Sequence, residues 1–397
     1  MMKRLLLLIL LALCSIIQAG QNEYSMIDAT EFGRDYLEGY GVVSALNLKG
    51  VGHSYAIAKD TGAIVIFSSS DEKLKFHYLD INGTTIWTKS FLPIAQAGNQ
   101  RNLLDISDDG SRVLMQQYFR DTNQYSIYNG NREILLTNDV KKVTYDLSSD
   151  GRFLLPEASG LWGDQNETVI YDIYGGKREL PMRGNYDIRT LSQCFISPDK
   201  LISQLVLDSG KKHLVCFEIS GGEIKQLWDK ESDYRYMSSG IYQQLKSYNN
   251  WIGLGANTDD LRIIDINTGE LLKEYKGRNG SWGLSQEGNI LLNGRENLEY
   301  LAWSKGENQP VEVISEAILY NAIQDFIELE DGMIINLNRD FWSPQKYASL
   351  YYSEGKFYYL ESQYNFVHCN NKDYIIAINL ISDPEVIIYV KNESVEY

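Results

Sequence analysis

Residues 144 to 155 read TYDLSSDGRFLL, in which two short apolar segments flank the turn Ser148-Ser149-Asp150-Gly151. This pattern is typical of a β-hairpin, because Asp and Gly accept the backbone angles that a tight reversal requires. Related turns precede an apolar segment along the whole chain. They lie at Asp60-Thr61-Gly62, Ser107-Asp108-Asp109-Gly110, Ser197-Pro198-Asp199-Lys200, Asn249-Asn250, Ser285-Gln286-Glu287-Gly288, Glu330-Asp331-Gly332 and Asn371-Lys372-Asp373.

A second kind of turn alternates with the first and centres on glycine. The first five of these glycines are spaced 47, 46, 46 and 47 residues apart. A period of this length holds about four strands, which is the unit of a β-propeller blade. The seven turns lie at Asn82-Gly83, Asn129-Gly130, Gly175-Gly176, Gly221-Gly222, Thr268-Gly269, Lys305-Gly306 and Glu354-Gly355.

The two turn counts predict how the ring closes. If the strands of a blade are named a to d from the axis outward, the first turn joins a to b and the second joins c to d. There are eight turns of the first kind but only seven of the second, so the last blade, whose strands run from Asn365 to Lys391, lacks strand d. The strand-like residues 41–46 can supply it. The sequence predicts an all-β propeller of eight four-stranded blades, closed by the N-terminal strand, which covers an exposed edge. A seven-bladed ring, with residues 232–248 outside the repeat, is the alternative.

The composition favours sheet and excludes several classes of protein. Aromatic residues make up 12% of the 397 residues, with 28 Tyr, and such residues are enriched in strands. With 44% hydrophobic residues and only 7 Pro, the chain is not expected to be disordered. The formal net charge of −16 makes nucleic acid and anionic lipid poor partners.

The first 19 residues have the pattern of a secretory signal peptide. Lys3 and Arg4 precede an apolar segment that ends at Leu13, which is too short to span a bilayer, and cleavage fits best after Ala19. Lipidation at Cys14 is the weaker alternative, because Leu13 stands where a small residue is expected. Residues 20–397 then form a single propeller domain that is secreted or periplasmic, with no membrane span.

Three cysteines, Cys194, Cys216 and Cys369, remain after the signal peptide is removed. An odd number in a long chain does not indicate a disulfide framework. A bond between Cys194 and Cys216 stays open, although small buried hydrophobic residues on strands are the favoured interpretation.

Two short segments resemble the quinoprotein-like repeat: residues 80–87, DINGTTIW, and residues 265–272, DINTGELL. The Ser-x-Asp-Gly turns resemble the WD40-like repeats of secreted proteins. The resemblance covers nearly all of residues 20–397 and implies a propeller fold, but such structural motifs say little about activity. Only Trp87 matches the tryptophan of the quinoprotein repeat, Lys273 stands in its place in the second segment, and vicinal cysteines are missing. We therefore expect no quinone and no other cofactor.

The sequence contains no assembled catalytic motif. Gly280-Ser281-Trp282-Gly283 has the wrong spacing for a nucleophile elbow, and phosphate-binding glycine loops are missing. The four histidines lie too far apart in sequence for a local zinc motif, so no metal is expected.

Six residues are nevertheless candidates for ligand binding. Asp105 and Asp146 each lie five residues before a turn glycine on neighbouring innermost strands, so their carboxylates should lie at one depth of the axial channel. The simpler alternative is that each binds the backbone near the following turn. His368 lies on the innermost strand of the last blade, where a structural role is the commoner one. Tyr234, Tyr236 and Trp251 surround the least repetitive segment and could stack on a sugar or peptide, although packing between blades explains them equally well.

The favoured function is an exported non-catalytic scaffold that binds a protein, peptide or glycan on a face of the ring. The alternative is a channel-mouth enzyme, a lyase or hydrolase acting on a glycan or cyclic substrate, in which Asp105 and Asp146 are the reacting groups.

Overall fold

The computed structural model of the protein describes most of the chain between Ser25 and Lys391. The described residues are 25–27, 32, 37, 40–48, 50–70, 73–91, 102–118, 123–134, 138–139, 144–157, 169–181, 189–206, 210–220, 223–232, 245–255, 261–275, 282–293, 297–303, 312–314, 322–338, 347–360, 364–369, 374–380 and 385–391. Residues 1–19 lie outside these ranges, so the signal peptide stays a prediction. Within these ranges, no helix is long and apolar enough to cross a membrane.

The described strands form eight sheets, and each sheet is a blade built on four antiparallel strands. Two strands, β1 (Ser25–Ile27) and β2 (Tyr40–Asn47), precede the first blade. Blade 1 contains β3 (Val51–Ile57), β4 (Ile64–Ser70), β5 (Lys73–Leu79) and β6 (Thr85–Phe91). Blade 2 contains β7 (Asn102–Ile106), β8 (Arg112–Tyr118), β9 (Asn123–Asn129) and β10 (Arg132–Ile134), and β11 (Asn138–Asp139) also pairs with β9. Blade 3 contains β12 (Thr144–Leu147), β13 (Phe153–Glu157), β14 (Val169–Asp172) and β15 (Gly176–Glu179).

The remaining five blades follow in chain order. Blade 4 contains β16 (Arg189–Ser197), β17 (Lys200–Val206), β18 (Lys212–Ser220) and β19 (Glu223–Ser232). Blade 5 contains β20 (Leu245–Tyr248), β21 (Trp251–Gly255), β22 (Leu261–Asp265) and β23 (Leu271–Tyr275). Blade 6 contains β24 (Trp282–Leu284), β25 (Ile290–Asn293), β26 (Leu298–Leu301) and β27 (Glu312–Ile314). Blade 7 contains β28 (Ala322–Glu328), β29 (Gly332–Asn338), β30 (Tyr347–Ser353) and β31 (Lys356–Leu360); blade 8 contains β32 (Asn365–Cys369), β33 (Tyr374–Asn379) and β34 (Glu385–Lys391).

The N-terminal strand closes the ring as predicted. β2 pairs antiparallel with β34, with Tyr40 opposite Lys391 and Asn47 opposite Glu385, and so becomes the outer strand of blade 8. This confirms the eight-bladed propeller and rejects the seven-bladed alternative, because residues 245–275, which follow the irregular segment, form a complete blade of their own.

The core is divided between the blades rather than gathered at one centre. The buried apolar residues form eight clusters, one at each interface between neighbouring blades. In β17, for example, Leu201 and Leu205 pack towards blade 3, whereas Ile202 packs towards blade 5. Alternation along a strand sends successive side chains to opposite faces of the sheet, so each blade contributes to two clusters.

The N-terminal segment makes two contacts that the turn pattern does not predict. β1 pairs in parallel with β31 and adds a fifth strand to blade 7. Phe32 is fully buried between blades 7 and 8, where its ring packs edge-on against Tyr351 and Phe366 with centroid distances of 5.2 and 5.7 Å. The N-terminal segment therefore binds to both of the last two blades.

Cys194 and Cys216 are free thiols. Both lie opposite Ile202, on the two strands that flank β17, so roughly 10 Å of sheet separates their backbones. A disulfide needs Cα atoms within about 7 Å. This register therefore excludes a disulfide between Cys194 and Cys216. Cys216 is instead a buried core residue.

Candidate functional site

The a–b and c–d turns lie at the same end of the blades, which we call the turn face. The a–b turns of blades 2 and 3 share a design, in which the serine hydroxyl donates a hydrogen bond to the aspartate two residues later. The oxygen–oxygen distance is 2.6 Å for Ser107 and Asp109 and 2.6 Å for Ser148 and Asp150. The glycine that follows has a positive φ, +69° at Gly151, which explains its place in the repeat.

Backbone hydrogen bonds join neighbouring a–b turns. The amide of Asp60 in blade 1 donates to the carbonyl of Asp108 in blade 2, at 2.8 Å. The amide of Asp108 donates in turn to the carbonyl of Ser149 in blade 3, at 2.7 Å. The turns of three successive blades thus form one continuous, preorganised surface on the turn face.

Asp105 lies on β7, an innermost strand, and joins two blades. One carboxylate oxygen accepts the amide of Ile106 at 2.8 Å, and the other accepts the amide of Leu147 in blade 3 at 2.9 Å. Burial raises the pKa of Asp105 above its ordinary value, although these two hydrogen bonds and the charge of Lys59 act in the opposite direction. Half-buried Asp146 precedes Leu147, so the two acids lie at neighbouring levels of adjacent strands.

The other sequence candidates occupy different places. His368 is buried on β32, and its backbone carbonyl accepts a hydrogen bond from Gln286 Nε2 at 2.5 Å. Trp251, a candidate for stacking on a ligand, lies on β21, is 7% exposed, and packs edge-on against Trp303. Its position in the apolar cluster between blades 5 and 6 explains its burial. Tyr234 and Tyr236 lie outside the described residues.

A lysine and an aspartate that sequence reasoning missed also lie on innermost strands. Lys246 on β20 donates a hydrogen bond to the carbonyl of Trp282 at 2.9 Å, and its ammonium lies 5.0 Å from the centre of that indole ring. Burial lowers the pKa of Lys246 to about 8, although the negative charge of Asp325 on β28 acts to raise it. Burial also raises the pKa of Asp325, against a hydrogen bond from Asn336 and the charge of Lys246.

Amide side chains on strand b tie a blade to the next one. Gln116 donates to the carbonyl of Tyr145 at 2.6 Å and accepts the amide of the same residue at 2.9 Å. Asn336 repeats this arrangement on Phe366, with distances of 2.6 and 3.2 Å. In the sequence, each of these residues is a polar amide within an otherwise apolar strand b. Burying such a side chain costs free energy unless its hydrogen bonds are satisfied.

On the outer part of the turn face, Asp172 is a buried carboxylate between two arginines. Its Oδ2 lies 3.0 Å from Arg152 and 2.6 Å from Arg178, and its side chain is 1% exposed. Burial acts to raise the pKa of Asp172, but the hydrogen bonds from Arg152 and from the amide of Tyr174, with the charges of both arginines, hold it below its ordinary value. Tyr174 itself is 68% exposed.

We expect Asp172 to make the protein sensitive to acid. Because its folded-state pKa is lowered, its contribution to stability is complete above its unfolded pKa of about 3.9 and is lost as the pH falls through the folded value. The difference in unfolding free energy between the wild type and Asp172→Asn should therefore be largest at neutral pH and shrink below about pH 4. Urea unfolding at a series of pH values measures it, and a difference that does not change with pH would contradict the role of this carboxylate.

The described residues do not bring together a group of three His, Cys, Asp or Glu side chains that could hold a metal ion. What they offer instead is an innermost ring of strands carrying Asp105, Asp146, Lys246 and Asp325, and a turn face built from hydrogen-bonded turns.

Comparisons with known proteins address the fold. No protein-family model matches the chain, and no curated protein matches its sequence. The structure is similar to that of BamB from Moraxella catarrhalis, with 9% identity, a TM-score of 0.50, and coverage of 88% of this chain and 99% of that one. It is also similar to Sqt1 from Saccharomyces cerevisiae, with 9% identity, a TM-score of 0.52, and coverage of 87% and 97%. These similarities agree with the β-propeller fold that the repeats implied.

Proposed function

We propose that the chain is an exported, non-catalytic scaffold that binds a protein or peptide on the turn face. The observation that carries the proposal is the chain of hydrogen bonds between the a–b turns of blades 1 to 3. A surface that is already ordered loses little conformational entropy when a partner binds, and this favours affinity.

Exposed side chains on the same face supply contact groups. Tyr174 projects from the c–d turn of blade 3, and its hydroxyl accepts a hydrogen bond from Arg112 of blade 2 at 2.8 Å. Ile86 is 57% exposed at the start of the outer strand of blade 1. Tyrosine and arginine are enriched at the residues that dominate protein interfaces, whereas the rest of an interface contributes little.

The bonding of Asp105 supports a site on the face rather than inside the channel. Both of its oxygens accept backbone amides, so its charge is used to join blades 2 and 3. A reacting acid must reach its substrate, and a carboxylate held in this way is poorly placed to do so.

Photo-crosslinking from the turn face tests the proposal. The full chain would be produced in a secreting host, where we expect an N-terminus at Gly20; an acylated Cys14 would contradict simple export. A photoreactive residue replaces Tyr174 in one variant and Val42, which is 47% exposed on β2, in a matched control. We expect one polypeptide of the host's exported fraction to be linked at position 174 and not at 42.

Two further measurements separate this proposal from its alternatives. We expect the double variant Asp105→Asn with Asp146→Asn to form the same crosslink, and loss of the crosslink in a folded double variant would place the site in the channel. A glycan-array screen of the wild type should be negative. Binding of a glycan without any polypeptide crosslink would contradict a protein partner, and turnover of that glycan would contradict a non-catalytic scaffold.

A further inference from the structure

The outer edge of blade 7 is covered by a fifth strand. β1 pairs in parallel with β31, with Ser25 opposite Tyr358 and Ile27 opposite Leu360. Among the described strands, no other blade has a strand added beyond its outer one. The outer edge of β31 is therefore able to accept another strand, and β1 shows the direction in which that strand runs.

β1 leaves part of this edge uncovered. β31 begins at Lys356, whereas its pairing with β1 begins at Tyr358, so two residues of β31 lie beyond the pairing. Parallel pairs are also slightly less stable per residue than antiparallel ones. A longer strand that runs in the same direction would pair with the whole of β31 and would compete with β1.

The sequence of β31 favours pairing. Phe357, Tyr358 and Tyr359 have high strand propensity, and Lys356 is the one charged residue of this strand. Proteins protect an edge strand with charged residues or cover the edge with another segment. Because β31 has a single charge, its protection depends mainly on the cover that β1 provides.

β1 can leave β31 without opening the ring. Phe32 and Leu37 are buried in the cluster between blades 7 and 8, and they hold the segment that follows β1. β2 pairs with β34 over seven residues, whereas β1 pairs with β31 over three. Short pairings near a chain end open at a much lower free-energy cost than the core of a fold. Loss of β1 is therefore a local event.

We propose that β1 is a displaceable strand that covers a strand-acceptor site on β31, and that an extended segment of a partner protein takes its place. Strand addition to a sheet edge is a recurring mode of peptide recognition, in which main-chain hydrogen bonds supply affinity. The partner segment runs parallel to β31 and spans all five of its residues. It is uncharged where it pairs, as the Ser-Met-Ile sequence of β1 is.

A partner protein is a stronger competitor than a second copy of this chain. The β1 of a second copy offers the same three pairs, whereas the β1 of the same chain is already present at a high effective concentration. The acceptor site lies on the outer edge of blade 7, so this inference goes beyond the proposed binding on the turn face. Crosslinking from position 174 does not depend on β1, and the two proposals therefore fail independently.

The test uses a fluorescein-labelled peptide of residues 20–28, which contains β1, and a chain that begins at Ala29. This chain lacks β1 but keeps Phe32, Leu37 and β2. We expect fluorescence anisotropy to show that it binds the peptide, and that the chain beginning at Gly20 binds at least about tenfold more weakly, because its own β1 competes. Equal binding by both chains, or no binding by a folded Ala29 chain, would overturn the proposal.

Hydrogen exchange locates the bound peptide. Removal of β1 should speed the exchange of amides in β31, and the peptide should slow it again. When an isotope-labelled chain that begins at Gly20 is saturated with peptide, exchange in residues 25–27 should become faster, because the peptide has displaced β1. Binding that leaves exchange in β31 and in residues 25–27 unchanged would contradict displacement.

A matched peptide with Met26→Pro and Ile27→Pro is the control. Successive amides of a strand point to opposite sides, so one of the two prolines removes a hydrogen bond to β31. We expect this peptide not to bind the Ala29 chain, and binding equal to that of the native peptide would contradict strand pairing. The same two substitutions in the chain that begins at Gly20 should weaken β1 and strengthen binding of the native peptide; unchanged binding would show that β1 does not cover the site.

The oligomeric state of the Ala29 chain tests the other occupant. We expect size-exclusion chromatography with light scattering to show a monomer. A dimer that the peptide does not dissociate would assign the edge of β31 to a second copy of the chain and would overturn the proposal of a partner strand.

Discussion

A chain that begins at Lys49 is expected to lose cooperative thermal unfolding and to aggregate. The truncation removes β2, so that β34 becomes an exposed edge strand with unpaired backbone groups. It also removes Phe32 and Leu37, which are buried in the cluster between blades 7 and 8. The measurement is a calorimetric melt together with light scattering.

A chain that begins at Tyr24 is the control for this truncation. It retains β1, Phe32 and β2, and we expect it to melt like the chain that begins at Gly20. If the chain that begins at Lys49 also melted cooperatively at the same temperature, the N-terminal strand would not be needed to close the ring.

Replacing Asn336 by leucine is expected to destabilise the protein by about 3–5 kcal/mol, because several buried polar groups lose their partner at once and each costs about 1–3 kcal/mol. These groups are the amide and carbonyl of Phe366 and the carboxylate of Asp325. Leucine has a similar volume, so the effect reports lost hydrogen bonds rather than a cavity. Urea unfolding followed by tryptophan fluorescence gives the change in free energy.

Asn267→Leu is the matched control, because Asn267 is exposed and its own backbone amide makes the hydrogen bond to Asp265. Substitutions at such surface positions usually change stability by less than about 0.5 kcal/mol. A change at position 336 no larger than that at 267 would show that the inter-blade hydrogen bonds do not stabilise the ring.

Much of the fold could be predicted because its signals are local. A tight turn depends on residues such as Ser148, Asp150 and Gly151 that are adjacent in sequence, and regular spacing then counts the blades. The closing strand could be placed because one blade lacked a partner for β34. In contrast, the addition of β1 to blade 7 involves three residues without a repeat pattern, so their pairing with β31 has no local signal.

The candidate site was harder to predict, because its contacts join residues from different blades. The five-residue spacing placed Asp105 on an innermost strand, but the bond to the amide of Leu147 depends on how two sheets pack. Lys246 follows an irregular segment, and only the packing of Trp282 against Gly253 distinguishes it from an ordinary surface lysine. Trp251 was a candidate because the repeat is weakest near it, whereas in the structure it packs in the apolar cluster between blades 5 and 6.

The pairing of Tyr40 with Lys391 also has a consequence for the order of events during synthesis. Each other blade takes its four antiparallel strands from one continuous part of the chain, whereas this contact joins residues roughly 350 positions apart. Contacts so distant in sequence form slowly, because the chain must close a very long loop first. β2 leaves the ribosome early and must wait, unpaired, until β34 has been made. Ring closure therefore acts as a completion check, since a chain that stops before β34 leaves β2 without its partner strand.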